Sequence, residues 1–443
     1  MLHLAVQFMK KKLLLLNIPL FRASFARFSL VSLVFAFVKI NAFTAALLMS
    51  NLVDDIAQFG VFEYALSIGL MAAIPLNFGL QGAYPFFNLK LKKKGYQSVF
   101  YFHSLVISFL LFSILFCNIL VGYFLNPSIA LALLIAGIYA NQIMFSSILK
   151  SHNRVVLAAL LDGGLFLILN GYNLFLFLFD KGYDLFFLHH LFLFYFILLM
   201  LINIVFFMKK QIDFSIQRYF KTLSFGKNIV GSTFLMICLT GSARIFIEYF
   251  LGAEAVGFYG FYFRLAAITV LVHQVVNIAF FKKMYEAVPS LLDQYFSCFL
   301  LSLCLLGLAM QLMIPVLFGS MFQLLAEATS EHRLLYILLS FQMLFWIALA
   351  LNENIIHREN LAAHINRYYF LLLLMMIALI FGLEVLNILR LSSLIFVNML
   401  VLFGGLELQI RLLQSKNIHF PKTQFMGRVI LVLANLCLLF FNF

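Results

Sequence analysis

Phe59-Gly60-Val61-Phe62-Glu63-Tyr64 and Val256-Gly257-Phe258-Tyr259-Gly260-Phe261-Tyr262 carry one design twice. Each copy follows a long apolar segment and a short acidic turn, Asp54-Asp55 before the first and Glu254 before the second, and each opens another apolar segment. A repeat on that scale implies two structurally related halves. In a chain of membrane-type composition, two-half bundles are a common transporter build.

The composition is of that type. Of 443 residues, 64% are hydrophobic and 11% are charged, whereas a soluble domain is about half apolar and a quarter charged. Apolar runs of the length a helix needs to cross the hydrocarbon core, about 20 residues, recur along the whole chain. They lie near 28–50, 61–84, 99–125, 128–149, 155–178 and 184–208, then near 228–251, 258–281, 293–318, 334–355, 367–388 and 391–413. A further run, 429–443, is short for a span and reads as a last helix or an interfacial one. The expectation is an all-α polytopic membrane protein with twelve transmembrane helices, or thirteen or fourteen if the C-terminal region adds to them.

The charge pattern supports this count and orients it. With a cytoplasmic N-terminus, the inside segments collect Lys10, Lys11, Lys12, Arg22, Arg27, Lys90, Lys92, Lys93, Lys94, Lys150, Arg154, Lys209, Lys210, Arg218, Lys221 and Lys227. Lys282, Lys283, Arg358, Arg367, Arg411, Lys416, Lys422 and Arg428 join them, while the outside loops hold Lys181, Arg333 and Arg390 beside Asp54, Asp55, Asp180, Asp184, Glu254, Glu327 and Glu331. This is the positive-inside bias of short loops. The net charge of +13 is therefore read as topology plus attraction to anionic headgroups. Membrane lipids are the partner it implies, and no nucleic acid is needed.

Several chemistries find no support. Cys117, Cys238, Cys298, Cys304 and Cys437 sit in or at the ends of apolar segments without short paired spacing, so neither a disulfide framework nor a metal site is indicated. His189 and His190 are neighbours on a helix, pointing about 100° apart, and make a poor chelate. No Walker-type glycine loop is present, no cofactor is expected, and the driving force must be an ion gradient, the membrane potential or the substrate gradient. Residues 1–27 imitate a signal sequence through Lys10–Lys12 and Leu13–Phe21, but no small-residue cleavage site follows. They are read as a retained cytoplasmic or interfacial lead-in.

Specific chemistry should lie in polar groups inside the apolar runs, since an ionisable residue at mid-bilayer costs at least about 2.5 kcal/mol unless paired or hydrated. These are Lys39, Glu63, Asp162, Arg244, Glu248, Arg264, Glu353 and Glu407. Lys39 lies near the middle of its run, either to contact an anionic substrate or to pair with Glu63 or another carboxylate. Arg244 has Glu248 four residues on, so an intrahelical pair competes with a substrate role. Arg264 has no acid at that spacing, and its partner must come from another helix, water or a ligand. Tyr259, Tyr262 and Phe263 around Arg264 form a polar-aromatic face suited to a sugar or headgroup. Asp162, followed by Gly163 and Gly164, is a coupling-ion candidate at a site of close helix approach or unwinding, with a hydrogen-bonded structural carboxylate as the alternative. Glu63 and Glu407 are further coupling-ion candidates. Pro75, with Asn77 and Gln81 beyond it, is a candidate hinge with polar lining, or a static kink.

Ala243-Arg244-Ile245-Phe246-Ile247-Glu248-Tyr249-Phe250-Leu251-Gly252-Ala253-Glu254-Ala255-Val256-Gly257-Phe258-Tyr259, followed by Phe263-Arg264-Leu265-Ala266, resembles the seventh and eighth helices of bacterial polysaccharide flippases. Asp54-Asp55-Ile56-Ala57-Gln58-Phe59-Gly60-Val61-Phe62, with Leu66 and Gly69 beyond, is similar to their first loop and second helix. These are the Wzx-like (O-antigen) members of the multidrug/oligosaccharidyl-lipid/polysaccharide exporter superfamily. The family usually has Asp just before the Arg of the seventh helix, where this chain has Ala243.

The resemblance implies a MATE-like fold of two six-helix lobes, 28–208 and 228–413, facing each other across a cavity. Residues 209–227 would join the lobes on the cytoplasmic side, and 414–443 would form a cytoplasmic loop and a short C-terminal hydrophobic segment. It implies translocation of an undecaprenyl-diphosphate-linked oligosaccharide repeat unit across a bacterial inner membrane by alternating access. The diphosphate would meet Lys39, Arg244 and Arg264, and a polysaccharide polymerase and glycosyltransferases would be partners in the same biosynthesis. A multidrug or cation antiporter, using Glu63, Asp162 and Glu407, is the rival from the same superfamily. An integral-membrane glycan polymerase is the enzymatic rival, which the short outer loops disfavour.

Overall fold

The structure is a computed structural model. It describes residues 19–441 except 86, 89–95, 123–124, 153, 211–213, 275, 277–286, 320–321, 323–324, 326–329 and 360, and leaves the side chains of 19–32, 85, 210, 228–229, 232, 318, 330–331, 357, 362 and 440–441 undescribed. The described residues form helices and no strand. In chain order these are α1 (Pro19–Leu52), α2 (Ile56–Leu76), α3 (Leu80–Pro85), α4 (Gln97–Leu120), α5 (Pro127–Ser151), α6 (Val155–Asp162), α7 (Gly164–Phe179) and α8 (Leu185–Lys210). After them come α9 (Ile216–Gly241), α10 (Ala243–Ala266), α11 (Pro289–Phe318), α12 (Ser330–Arg358), α13 (Ala362–Val385), α14 (Leu391–Gln414) and α15 (Pro421–Phe441). Among the described residues, eleven stretches are long and apolar enough to cross a membrane, or twelve when α6 and α7, bent by 56° at Gly163, count as one. The chain is an all-α polytopic membrane protein.

Helix ends depart from the apolar runs where caps and glycines decide them. Of the lead-in, residues 19–27 continue into α1, and 1–18 lie outside the described residues. The second run begins five residues early, because Asp55 caps α2 by accepting a hydrogen bond from the Ala57 amide at 2.9 Å and so satisfies an otherwise orphaned donor. It also stops early, at Leu76, where the backbone turns through Phe78 (φ 49°) and Gly79 (φ 70°). Pro75 therefore sits one residue from a helix end, not in the middle of a span. Of the expected inter-lobe connection, residues 216–227 are the first turns of α9.

Thr233–Ala266 reads as one apolar stretch of 34 residues, but Gly252 breaks it with φ 85°, ψ 176°, a conformation open only to glycine. A straight helix would hold Arg244 and Arg264 about 30 Å apart. Both instead touch the same Glu63 carboxylate. The chain folds back at Gly252, with a first limb 243–251 and a second limb 253–266.

That second limb packs along α2, and the fit explains the repeat. A Cβ on Gly60 would lie 1.8 Å from the Ala253 carbonyl oxygen, and a Cβ on Gly257 would lie 2.5 Å from the Ile56 carbonyl oxygen. Each glycine thus meets the carbonyl four residues before the other, which is the reciprocity of a two-fold axis running along the two helices. Both glycines lie inside their helices and form the crossing, rather than preceding the membrane segments. The principal contacts between α1–α8 and α9–α15 run through α1, α2 and α3 on one side and α9 and α10 on the other.

Each half is tied internally by polar groups. In the first, Asn141 of α5 binds the Ser104 hydroxyl at 2.7 Å, donates to the Gly137 carbonyl at 2.7 Å, and accepts from Asn203 of α8. In the second, Asp293 of α11 accepts from the Thr423 amide at 2.8 Å and the Lys422 amide at 3.0 Å. A carboxylate at the exposed amides of a helix start supplies cap and dipole complement together. This anchors α15 at Pro421, so Pro421–Leu439 becomes long enough to cross, where hydropathy alone admits only the run beyond Arg428. Asp293→Ala should cost about 1–2 kcal/mol. It should also make the α15 amides exchange deuterium faster than those of α14; unchanged exchange would refute the anchor.

Candidate functional site

The offset that superposes Gly60 on Gly257 also superposes Glu63 on Gly260. One turn past the crossing, the first helix carries a carboxylate where the second carries no side chain. A Cβ on Gly260 would lie 2.7 Å from the Glu63 Cγ, so the carboxylate is accommodated on the axis only because residue 260 is glycine. Glu63 is fully buried, at 0% exposure. An unpaired charge there would be very costly.

Two arginines of the second half neutralise it. Arg264, on the second limb, contacts Oε1 through Nε at 2.6 Å and Nη2 at 2.5 Å, and its Nη1 donates to the Ala42 carbonyl of α1 at 3.3 Å. Arg244, on the first limb, brings Nε to 3.0 Å from Oε2. That approach is an ion contact without hydrogen-bond alignment, since neither Arg244 Nε nor Glu63 Oε2 has a hydrogen-bond partner. The Arg244 guanidinium lies over the Phe263 ring at 4.3 Å and the Tyr259 ring at 5.2 Å, where aromatic faces attract a cation. One carboxylate faces two guanidiniums, so the cluster carries one surplus positive charge. It adjoins a cavity of about 220 Å³ that Ser67, Thr240, Phe263 and Trp346 also line.

A larger cavity, about 590 Å³, lies beside it, walled by the first half and by Ile237 of α9. The two share Leu70, Phe166 and Ile237 in their walls. Lys39 lines the larger one, its Nζ 5.4 Å from the Phe35 ring centre; among the described residues it makes no ion pair, and Asp162 in the same wall is the carboxylate whose charge acts on it. Asp162 lines it too, and pairs with Lys150 at 2.8 Å. Gly163 is where the α6–α7 bend occurs, and with Gly164 it admits close neighbours: added Cβ atoms would lie 2.4 Å from Val38 Cγ1 and 2.2 Å from the Tyr195 hydroxyl.

Polar residues of α5 that the apolar runs give no reason to single out complete this lining, together with Gln81, expected as polar lining beyond Pro75. Tyr139, Gln142, Ser146 and Lys150 follow helical spacing along α5, and Gln81 faces them from α3. Ser146 Oγ, Gln142 Oε1 and Gln81 Oε1 are buried without hydrogen-bond partners, which leaves a donor and two acceptors open to a hydroxylated ligand or water. The three-to-four spacing of polar residues on α5 is the signal that could have revealed them.

Other candidates lie elsewhere or in different roles. The intrahelical Arg244–Glu248 pair does not form. Glu248 makes no ion pair among the described residues, and its Oε2 is buried without a hydrogen-bond partner. Tyr262 faces away from the arginines, its ring 5.8 Å from His332 of α12. Glu407 is clasped by Arg428 at 3.0 Å and Gln424 at 2.6 Å, both of α15. The Leu76 carbonyl beside Pro75 meets His103 Nε2 at 2.9 Å, and His103 Nδ1 meets the Tyr219 hydroxyl of α9 at 2.9 Å. That bridge ties the end of α2 to the second half. Among the described residues, no group of three His, Cys, Asp or Glu side chains is placed to hold a metal.

Comparison with known proteins adds no relative: no family model, no curated protein and no solved structure matches the chain.

Proposed function

We propose that this chain is a flippase that moves an undecaprenyl-diphosphate-linked oligosaccharide across a bacterial inner membrane by alternating access, with its N-terminus cytoplasmic. The observation that carries the reading is the surplus of positive charge at two adjoining cavities: two arginines share one acid in the smaller, and Lys39 and Lys150 face the single carboxylate of Asp162 in the larger, where it is Lys150 that makes the ion pair. A diphosphate needs such cations, and guanidinium suits it through bidentate hydrogen bonding. The unsatisfied amide and hydroxyl groups around Lys39 suit sugar hydroxyls. The lipid tail would remain in the bilayer.

The cation-antiporter reading is weaker because each acid it would use already has a cation. Glu63 is held by arginines, Asp162 by Lys150 and Glu407 by Arg428. A cell supplied with a labelled lipid-linked glycan or a cationic dye separates the two by which one is moved.

In a strain lacking the protein, lipid-linked repeat units should accumulate. Lys39→Ala, Arg244→Ala and Arg264→Ala should each reduce rescue of surface polysaccharide by about 10–100-fold, the loss of one charge-assisted hydrogen bond of about 1.5–3 kcal/mol. Membrane insertion should be preserved. If all three variants restore surface polysaccharide fully, the cationic-cavity reading falls.

A further inference from the structure

The three charges are divided between the halves. Glu63 is the only charged contribution of the first half, while Arg244 and Arg264 both come from α10. Arg264 makes two hydrogen-bond-length contacts to one oxygen and satisfies most of what the carboxylate can accept. Arg244 is 8% exposed, its Nε has no hydrogen-bond partner, and the small cavity lies against it. A buried cation so placed has only a share of one anion, Glu63, which Arg264 holds more fully. The cavity, about 220 Å³, has room for an oxyanion.

We propose that Glu63 is an internal competitor for a phosphate-class anion: a phosphate or diphosphate group entering the small cavity takes Arg244, competes with Glu63 for Arg264, and so breaks the ionic link between the two halves. This rests on the flippase reading for its cargo but not for its chemistry, since any phosphate-class anion of fitting size makes the exchange. The Gly60–Gly257 crossing stays as the uncharged contact about which the halves separate. Anion binding and separation are then linked, and the linkage is reciprocal: whatever weakens the Glu63 contact strengthens anion binding.

The test uses the purified full-length protein in detergent with inorganic pyrophosphate as probe, and calorimetry for affinity. Glu63→Gln should bind pyrophosphate about tenfold tighter or more than wild type, within the usual span of coupled sites, and Arg244→Gln should lose binding. Glu63→Asp keeps the charge balance if Glu63→Gln fails to fold; its shorter carboxylate holds both arginines less well, so it too should bind more tightly than wild type. Spin labels at Asp180→Cys and Arg390→Cys, exposed positions of the two halves away from the crossing, in a background without the native cysteines, should change their separation on adding pyrophosphate.

Equal or weaker binding by the Glu63 variants, retained binding by Arg244→Gln, unmoved labels, or no binding by any form would each overturn the exchange. The cargo assay is separate. Anion exchange without glycan translocation leaves the exchange standing and removes the flippase reading, whereas translocation with unaltered affinity in the Glu63 variants does the reverse.

Discussion

Replacing Glu63 with leucine should lower the stability of the folded chain by about 3–5 kcal/mol, the usual cost of removing one member of a buried ion cluster. Leucine fills much of the volume, so the loss is electrostatic: Arg244 and Arg264 would remain buried together, at 8% exposure for Arg244, with no acid between them. Arg264→Leu should cost less, because it leaves a balanced pair in Glu63 and Arg244. The double variant Glu63→Leu/Arg264→Leu should be more stable than the sum of the two single losses, since one buried cation then remains instead of two. Melting of the detergent-solubilised protein, followed by size-exclusion recovery after heating, measures all three. An unchanged melting temperature for Glu63→Leu would mean that the cluster is not a feature of the folded state.

Gly60→Ala should destabilise by about 3 kcal/mol, the upper part of the range for overpacking a close contact. A methyl group 1.8 Å from the Ala253 carbonyl oxygen meets backbone, which cannot rotate aside, so α2 and the second limb of α10 must move apart and strain the Glu63 cluster one turn further on. Gly257→Ala, at 2.5 Å from the Ile56 carbonyl oxygen, should act the same way. The control has the opposite sign. Gly382 of α13 has nothing within 4 Å of an added Cβ, and Gly→Ala in an open helix interior stabilises by up to about 1 kcal/mol. The same melting assay decides: Gly60→Ala at or above the wild-type midpoint would refute the close crossing.

Much of the architecture was legible because hydropathy acts locally along a chain. Two dozen consecutive residues without charge, as in Gln97–Leu120, have few alternatives to a membrane helix. Polar capping is less visible. The start of α15 at Pro421 depends on Asp293, remote in sequence, whereas the break at Gly252 falls where the apolar runs 228–251 and 258–281 part.

The site divides along the same line. With no acid four residues away, spacing sends the partner of Arg264 to another helix, water or a ligand, and the structure makes it Glu63 of another helix. Which acid that was, and that Arg244 shares it in preference to Glu248, could not be read from spacing. Lys39 and Glu63 looked equally suited to pair, yet they line different cavities.

By itself the sequence determined that this is a helical membrane protein, and it showed Gly60 and Gly257 in one repeated pattern 197 positions apart. Only the tertiary structure decided that those positions meet, each glycine against the carbonyl four residues before the other, and that Glu63 lies beside that axis opposite Gly260 between two arginines. The physical reason is range. Hydropathy and helix spacing report neighbours along one helix, whereas the partner of a buried charge is set by which helices the packing brings within about 3 Å, and one carboxylate between two guanidiniums leaves no trace in the order of residues.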